Sequence, residues 1–247
     1  FRPHNDPDDH WDLACVYALA YRGDIELKGI VIDYPPAGEP NYNPDIAAVA
    51  QMNRITGLTV PVAVGSPYAM RWMDDTRPYA SADEIQGVEL ILDILRASDQ
   101  PVVINVIGSI RDIAVAGKRE PELFTRNCAG VYLNAGTSTP KKADDAKLEY
   151  NTKLDPVAYL AVFDLPCPIY WMPCFETLDR TDSPRAPEFG TYYRFRQGEI
   201  LPQLSRQMKN YFASMFARRT DHNWLSTLAG KPDEAVLADQ AGKDRNM

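Results

Sequence analysis

Four carboxylates fall within seven residues near the start of the chain, in Asp6-Pro7-Asp8-Asp9-His10-Trp11-Asp12, and an apolar helical run from Leu13 to Ala20 follows at once. Like charges crowded onto one loop-to-helix junction repel one another. A bound cation, or a ligand rich in hydrogen-bond donors, relieves that repulsion, and hard cations such as Ca2+ take oxygen ligands. The competing explanation is capping, because Asp is a favoured N-cap and acids suit the positive end of a helix dipole. Capping accounts for one or two of these residues but not for the whole cluster.

Three further places put polar groups where a strand is expected to end: Ile107-Gly108-Ser109-Ile110-Arg111-Asp112, Asn134-Ala135-Gly136-Thr137-Ser138, and Glu149-Tyr150-Asn151 ahead of Asp155-Pro156. Gly-Ser after a strand usually makes only a tight turn. The sequence around it is not GxSxG, so a nucleophile elbow is unsupported. Neither GxGxxG nor GxxxxGK[ST] occurs, which removes the usual dinucleotide and P-loop phosphate sites. Histidines are few (His4, His10 and His222) and none has zinc spacing. His10 reads either as a solvated first-turn residue or as a functional one. His222 reads first as a partner for a helix C-terminus.

The elements that must position these residues alternate. Strands are expected at Leu27–Ile32, Val60–Val64, Val102–Ile107, Val131–Leu133 and Ile169–Met172. Helices are expected at Asp45–Asn53, Asp83–Ala97, Ile110–Ala116, Pro121–Arg126, Pro156–Phe163 and Gln203–Arg218. Val102–Ile107 is apolar but for Asn105, as a parallel strand covered on both faces should be. The βαβα rhythm predicts an α/β fold, a mostly parallel open sheet with helices on both faces, Rossmann-like in arrangement. Ligands on such sheets sit at the carboxyl ends of the strands. The expectation is a single domain over 1–247 with an irregular insertion at about 175–198. The stripe Met208, Tyr211, Phe212, Met215 and Phe216 reads as core or subunit contact. The last stretch, Lys231 to Met247, is polar and shows no closing element. Further chain is expected before Phe1 and after Met247.

The chain's 247 residues carry a net charge of −8 with a pI near 4.9. That balance argues against nucleic acid as partner, since phosphate binding needs clustered Lys and Arg. No apolar run approaches the length of a membrane span. The four cysteines (Cys15, Cys128, Cys167 and Cys174) form no CxxC pair and read as buried free thiols. This leans toward a reducing, cytoplasmic compartment, while a periplasmic or secreted location stays open should a leader have been removed.

Taken in order, the motifs resemble the inosine-uridine-preferring nucleoside hydrolase family and its divergent branch. They are the Asp-rich loop before an apolar helix, Lys28-Gly29-Ile30-Val31, Pro61-Val62-Ala63-Val64-Gly65, Ile107 to Ala116, Arg119-Glu120-Pro121-Glu122-Leu123, Leu133-Asn134-Ala135-Gly136, and Leu148-Glu149-Tyr150-Asn151 running into Asp155-Pro156. The resemblance implies hydrolysis of the N-glycosidic bond of a ribonucleoside or related riboside by a water held on Ca2+. It implies Asp6, Asp9, Asp12 and the Ile107 carbonyl as metal ligands, with Asp6 or Asp9 taking the water's proton. It implies Asp8, Asn134, Glu149 and Asn151 as sugar-binding residues, and a homo-oligomer as the assembly. Two registers of the acidic loop stay open: Asp6-Pro7 as the family's opening pair with Asp12 as its last acid, or Asp8-Asp9 as its paired aspartates. The loop lacks the family glycine, and the family's late His-Asp pair has no clear match, since Asp221-His222 is reversed. A sugar- or nucleoside-binding protein of the same fold, with catalysis lost, is the alternative.

Overall fold

The computed structural model describes residues 8–34, 46–136, 148–173, 194–217, 219 and 223–246. Asp6, His4, Asp221, His222 and Cys174 lie outside the described residues. In chain order the elements are α1 (Asp8–Arg22), β1 (Ile30–Ile32), α2 (Ala47–Thr56), β2 (Val62–Val64), a 3-10 turn (Ala82–Ile85) leading into α3 (Gln86–Ala97), β3 (Val102–Val106), α4 (Arg111–Arg119), α5 (Pro121–Asn127) and β4 (Cys128–Asn134). There follow α6 (Tyr150–Leu154), α7 (Pro156–Ala161), a 3-10 turn (Val162–Asp164), β5 (Ile169–Met172), β6 (Arg194–Arg196), α8 (Gln197–Ile200), a 3-10 turn (Leu201–Gln203), α9 (Arg206–Phe216), α10 (Trp224–Ala229), α11 (Glu234–Ala241) and β7 (Asp244–Asn246).

Local chemistry sets several of these boundaries. Ser81 and Glu84 form a capping box ahead of α3. Asp155 caps α7 through the Ala158 N–H at 2.9 Å, with Pro156 in the first turn, where its missing N–H costs nothing. Gly57 ends α2 at φ 76°, a left-handed conformation that suits glycine.

The chain forms two compact units. One comprises residues 31–43 and 63–191, the other residues 1–30, 44–62 and 192–247. In the first, β3, β4 and β5 make a parallel sheet in the order β3-β4-β5, with Ile104 opposite Val131 and Val131 opposite Ile169. Val106, Val131 and Leu133 join Val88, Leu92 and Leu95 of α3, Ile113 and Val115 of α4, and Ala158 and Ala161 of α7 in one core. β1 and β2 pair separately. Their flanking bonds, Ile30 N–H to Pro61 and Gly65 N–H to Ile32, advance together along both strands, so these strands are also parallel.

In the second unit, Trp11 of α1 lies 4.1 Å from the Phe212 ring of α9 and donates its indole N–H to Gln197 Oε1 at 2.9 Å. The Tyr17 hydroxyl donates to Asn53 Oδ1 of α2 at 2.8 Å. Tyr211, Phe212 and Met215 are buried, so the aromatic and Met stripe is core, as its spacing indicates.

Several expectations are corrected. β3 is not covered on both faces: Val103 is 57% exposed, and Tyr132 and Tyr170 stack 4.6 Å apart on that same open face. Apolar content reads as burial in the sequence, yet these rings and the valine stand outward. The tail is not without elements, because Asp233 caps α11 through Val236 N–H and β7 pairs antiparallel with β6. The end of the 175–198 insertion is likewise regular, since it contains β6 and the start of α8. Strand pairing of polar residues between backbones some fifty positions apart leaves no hydrophobic pattern to read. The acidic stretch from Asp8 onward belongs to α1 itself rather than to a loop before it. Cys15 is exposed, because the buried face of α1 follows His10, Trp11, Leu13, Ala14 and Tyr17 and passes it by. Cys128 is a buried free thiol as expected, and Cys167 is free and half-buried.

Candidate functional site

In the unit built on β3, β4 and β5, the polar residues gather at the carboxyl ends of the strands. The Asn151 side-chain amide donates to the Ile107 carbonyl at 3.2 Å and to the Asn134 carbonyl at 2.9 Å. One side chain therefore bridges the end of β3, the end of β4 and the first turn of α6, three segments that are far apart in sequence. Its Oδ1 faces no hydrogen-bond donor among the described residues.

Glu149 is the N-cap of α6. Its Oε1 accepts the Asn151 N–H at 2.8 Å, and its Oε2 accepts the Gly136 N–H at 2.8 Å, the Thr152 N–H at 3.1 Å and the Thr152 hydroxyl at 3.3 Å. Gly136 turns at φ +77°, and a Cβ there would meet the Tyr159 hydroxyl at 2.3 Å, so glycine is required on both counts.

A buried ionic layer sits beneath these ends. Arg111 is 3% exposed and donates from Nη1 to the Ser66 carbonyl at 2.9 Å and from Nη2 to the Leu154 carbonyl at 2.7 Å. Asp155 Oδ2 stands 3.9 Å from Arg111 Nε and accepts the Met70 N–H at 2.7 Å. Burial lowers the Arg111 pKa, against the opposing charges of Asp155, Asp33 and Asp112. Asp112 accepts the Ser66 N–H and hydroxyl, each at 3.0 Å. Burial raises its carboxyl above the usual range in spite of those bonds and of Arg77 and Arg111. Gly65 and Gly87 leave room for it, since a Cβ on either would meet an Asp112 oxygen at 2.5 or 2.7 Å.

On α1, Asp8 and Asp9 form the first turn and Asp12 follows one turn later, all three half-buried. The Tyr211 phenol is pushed up by burial, with the charge of Asp9 adding to the effect. His10 is buried rather than solvated and lies edge-on to Tyr211 at 6.5 Å. Among the described residues no three His, Cys, Asp or Glu side chains gather as a metal-binding group. The donors expected of the site, carboxylates and the Ile107 carbonyl, are nevertheless the hard oxygens that fit a Ca2+ ion.

The structure thus brings Ile107, Asn134, Glu149 and Asn151 together. Asp8, Asp9 and Asp12 share α1, and Asp6 lies outside the described residues. Sequence reasoning missed Asp33, whose Oδ2 accepts the Ser109 N–H at 2.9 Å, and it missed the anchoring role of Arg111. A carboxylate directly after the apolar Ile30-Val31-Ile32 run was the available signal for Asp33.

The family model for inosine-uridine preferring nucleoside hydrolases matches residues 5–237. The chain belongs to the inosine-uridine preferring nucleoside hydrolase family. Among solved structures it is similar to an inosine-uridine preferring nucleoside hydrolase from Bacillus anthracis, with 13% identity and a TM-score of 0.53, covering 96% of this chain and 86% of that one. It is also similar to a purine-preferring ribonucleoside hydrolase from Gardnerella vaginalis, with 17% identity and a TM-score of 0.56, covering 95% of this chain and 73% of that one. At these identities the likeness shows the nucleoside hydrolase fold alone. No curated protein sequence matches the chain. No described helix is long and apolar enough to cross a membrane.

Proposed function

We propose that this nucleoside hydrolase family member cleaves the N-glycosidic bond of ribonucleosides or related ribosides. The observation that carries this reading is the Asn151 bridge, which joins three motifs of the family resemblance at the strand ends where α/β proteins bind ligands.

In this reading Asn134 and Asn151 face the sugar, and Glu149 holds the turn and the helix start that present them. Asp8 completes the sugar contacts from α1. Asp9 and Asp12, with Asp6 ahead of them and the Ile107 carbonyl, are the oxygen ligands proposed for Ca2+. A hard divalent ion held by these oxygens would supply an oriented water of lowered pKa. Asp6 or Asp9 takes the water's proton. The water oxygen forms a bond to the anomeric carbon while the carbon–nitrogen bond breaks and its electron pair leaves with the base. Carboxylates nearby stabilise the positive charge that develops on the sugar in this step. The substrate is a small-molecule nucleoside, and a homo-oligomer is the assembly we propose, to be read by light scattering.

The test is to incubate the full chain with inosine, uridine and p-nitrophenyl riboside, with and without Ca2+. Ribose release that chelation abolishes and Ca2+ restores is the expected result. Tight riboside binding with no release would make the protein a binding module instead. Release that is indifferent to chelation would remove the metal from the proposal.

A further inference from the structure

β4 holds one residue more than its pairing with β3 uses. Val102 pairs with Cys128 and Val103 with Gly130, so Ala129 is a bulge residue. Strict alternation would put Cys128 on the open face with Tyr132. The bulge turns it instead to the inner face of Val131 and Leu133, where it is 5% exposed. On the neighbouring strand Ile169 lies opposite Val131, and the Val131 N–H donates to the Pro168 carbonyl at 2.9 Å. Continuing that register places Cys167 beside the bulge. Cys167, two residues before Ile169, packs with it against the core that contains Cys128. Neighbouring strands lie about 4.8 Å apart, which sets the two cysteine Cα atoms about 5–6 Å apart, within the span of a disulfide.

The two side chains meet as free thiols. Cys167 donates its S–H to the Cys128 sulfur, a bond that lowers the Cys128 thiol and raises the Cys167 thiol. We propose that Cys128 and Cys167 are a redox pair, which a peroxide oxidises to a disulfide that clamps β4 to β5. The half-buried Cys167 gives the oxidant its way in. One sulfur of the pair attacks hydrogen peroxide, the O–O bond breaks, and a sulfenic acid forms as the first water leaves. The other sulfur displaces hydroxide from that acid, forms the S–S bond, and its proton completes the second water. The two thiols lose two electrons and two protons, and one peroxide is reduced to two waters. Asn134, Glu149 and Asn151 all lie between the two cysteines in the chain. The bond makes the roughly forty residues between them a closed loop, which restricts the unfolded chain and so stabilises the folded one. The pair sits at the amino ends of β4 and β5, while Asn134 ends β4 at its carboxyl end. This inference stands apart from the riboside reading.

In the experiment the full chain is reduced, freed of reductant and exposed to a small excess of hydrogen peroxide. One portion is alkylated in urea for peptide mapping, and another is heated to its unfolding midpoint. The expected result is a Cys128–Cys167 peptide pair, with neither thiol alkylated, that dithiothreitol separates. The thermal midpoint should rise by about 5 °C or more over the reduced protein. Cys15→Ser should keep that shift and Cys167→Ser should abolish it. Cys167 is only half-buried, so Cys167→Ser carries the test even if Cys128→Ser fails to fold. Cys128 and Cys167 both still alkylated after peroxide, either one bonded instead to Cys15 or Cys174, or a sulfinic acid at Cys167 overturns the inference. So does a Cys128–Cys167 bond that leaves the midpoint unchanged or lowers it.

Discussion

Arg111, in the first turn of α4, reaches the carbonyl of Leu154 at the last residue of α6, 2.7 Å away. α6 is only five residues long and carries Asn151 in its first turn, so its position depends on anchors outside itself. Arg111→Met removes both donated bonds and leaves Asp155 and Asp112 buried near an apolar side chain. Breaking a buried charge network from one side costs about 3–5 kcal/mol. Urea unfolding should show a loss of that order, and any folded fraction should bind ribosides more weakly. Arg111→Lys should recover only part of the loss, because an ammonium does not reproduce the planar fork that spans Ser66 and Leu154.

Asn151→Asp should be more damaging than Asn151→Ala. The side-chain amide faces two carbonyl oxygens. A carboxylate there opposes both, whereas Ala merely leaves them for water. Stability should fall by about 1 kcal/mol per lost bond for Ala and by more for Asp. Riboside kcat/KM, measured beside the unfolding midpoint, should follow the same order.

Gly136→Ala should destabilise the protein by about 2 kcal/mol or more, because Ala in a left-handed conformation is strained and its Cβ falls on the Tyr159 hydroxyl. Adding Tyr159→Phe should recover only part of the steric cost, because the ring Cζ would still stand 2.9 Å from the new Cβ, and should leave the backbone part. A double-mutant cycle in denaturant would separate the two. Additive losses would show that the hydroxyl does not limit the space at Gly136.

The segment after β2 depends on Asp75. Its oxygens accept the Arg71 and Arg77 N–H groups, each at 2.9 Å, and the Tyr79 hydroxyl at 2.6 Å. Burial opposes its charge, but the Tyr79 hydroxyl, those backbone donors and the Arg77 charge outweigh it and hold its pKa below the ordinary 3.8. A depressed carboxyl contributes stability that is present above its unfolded pKa and is lost as pH falls through the folded one. Asp75→Asn should therefore cost roughly 2 kcal/mol at pH 7. It should also flatten the acid limb of the stability curve below about pH 4. Thermal midpoints across pH 2–7 check both. The same bonds hold Arg77, whose φ of 52° is unusual for a residue other than glycine.

The sequence-to-structure comparison separates by physical cause. Elements with strong periodicity were legible: Ile169–Met172 matches its strand residue for residue, and α3 falls within the helix expected at Asp83–Ala97. The Ile107 and Asn134 motifs were legible as strand ends because turn residues mark them locally, whereas Glu149–Asn151, also expected at a strand end, opens helix α6. What stayed hidden depends on partners distant in sequence. Arg111 carries no signal of its anchoring role in the sequence, because its partners Ser66 and Leu154 lie more than forty positions away on either side. Asp33 carries none either, because the Ser109 N–H it accepts lies 76 positions along the chain. β6 and β7 are polar strands that only their pairing with each other reveals.

Glu149 bears on how this protein can be redesigned. Glu149, which the family resemblance marks as a sugar-binding residue, also holds a turn and a helix start, and even Glu149→Gln would set an amide NH2 against backbone N–H groups that need an acceptor. Altering which sugars the protein prefers should therefore keep position 149 as it is, and any change at Asn151 must offset the bridge it removes.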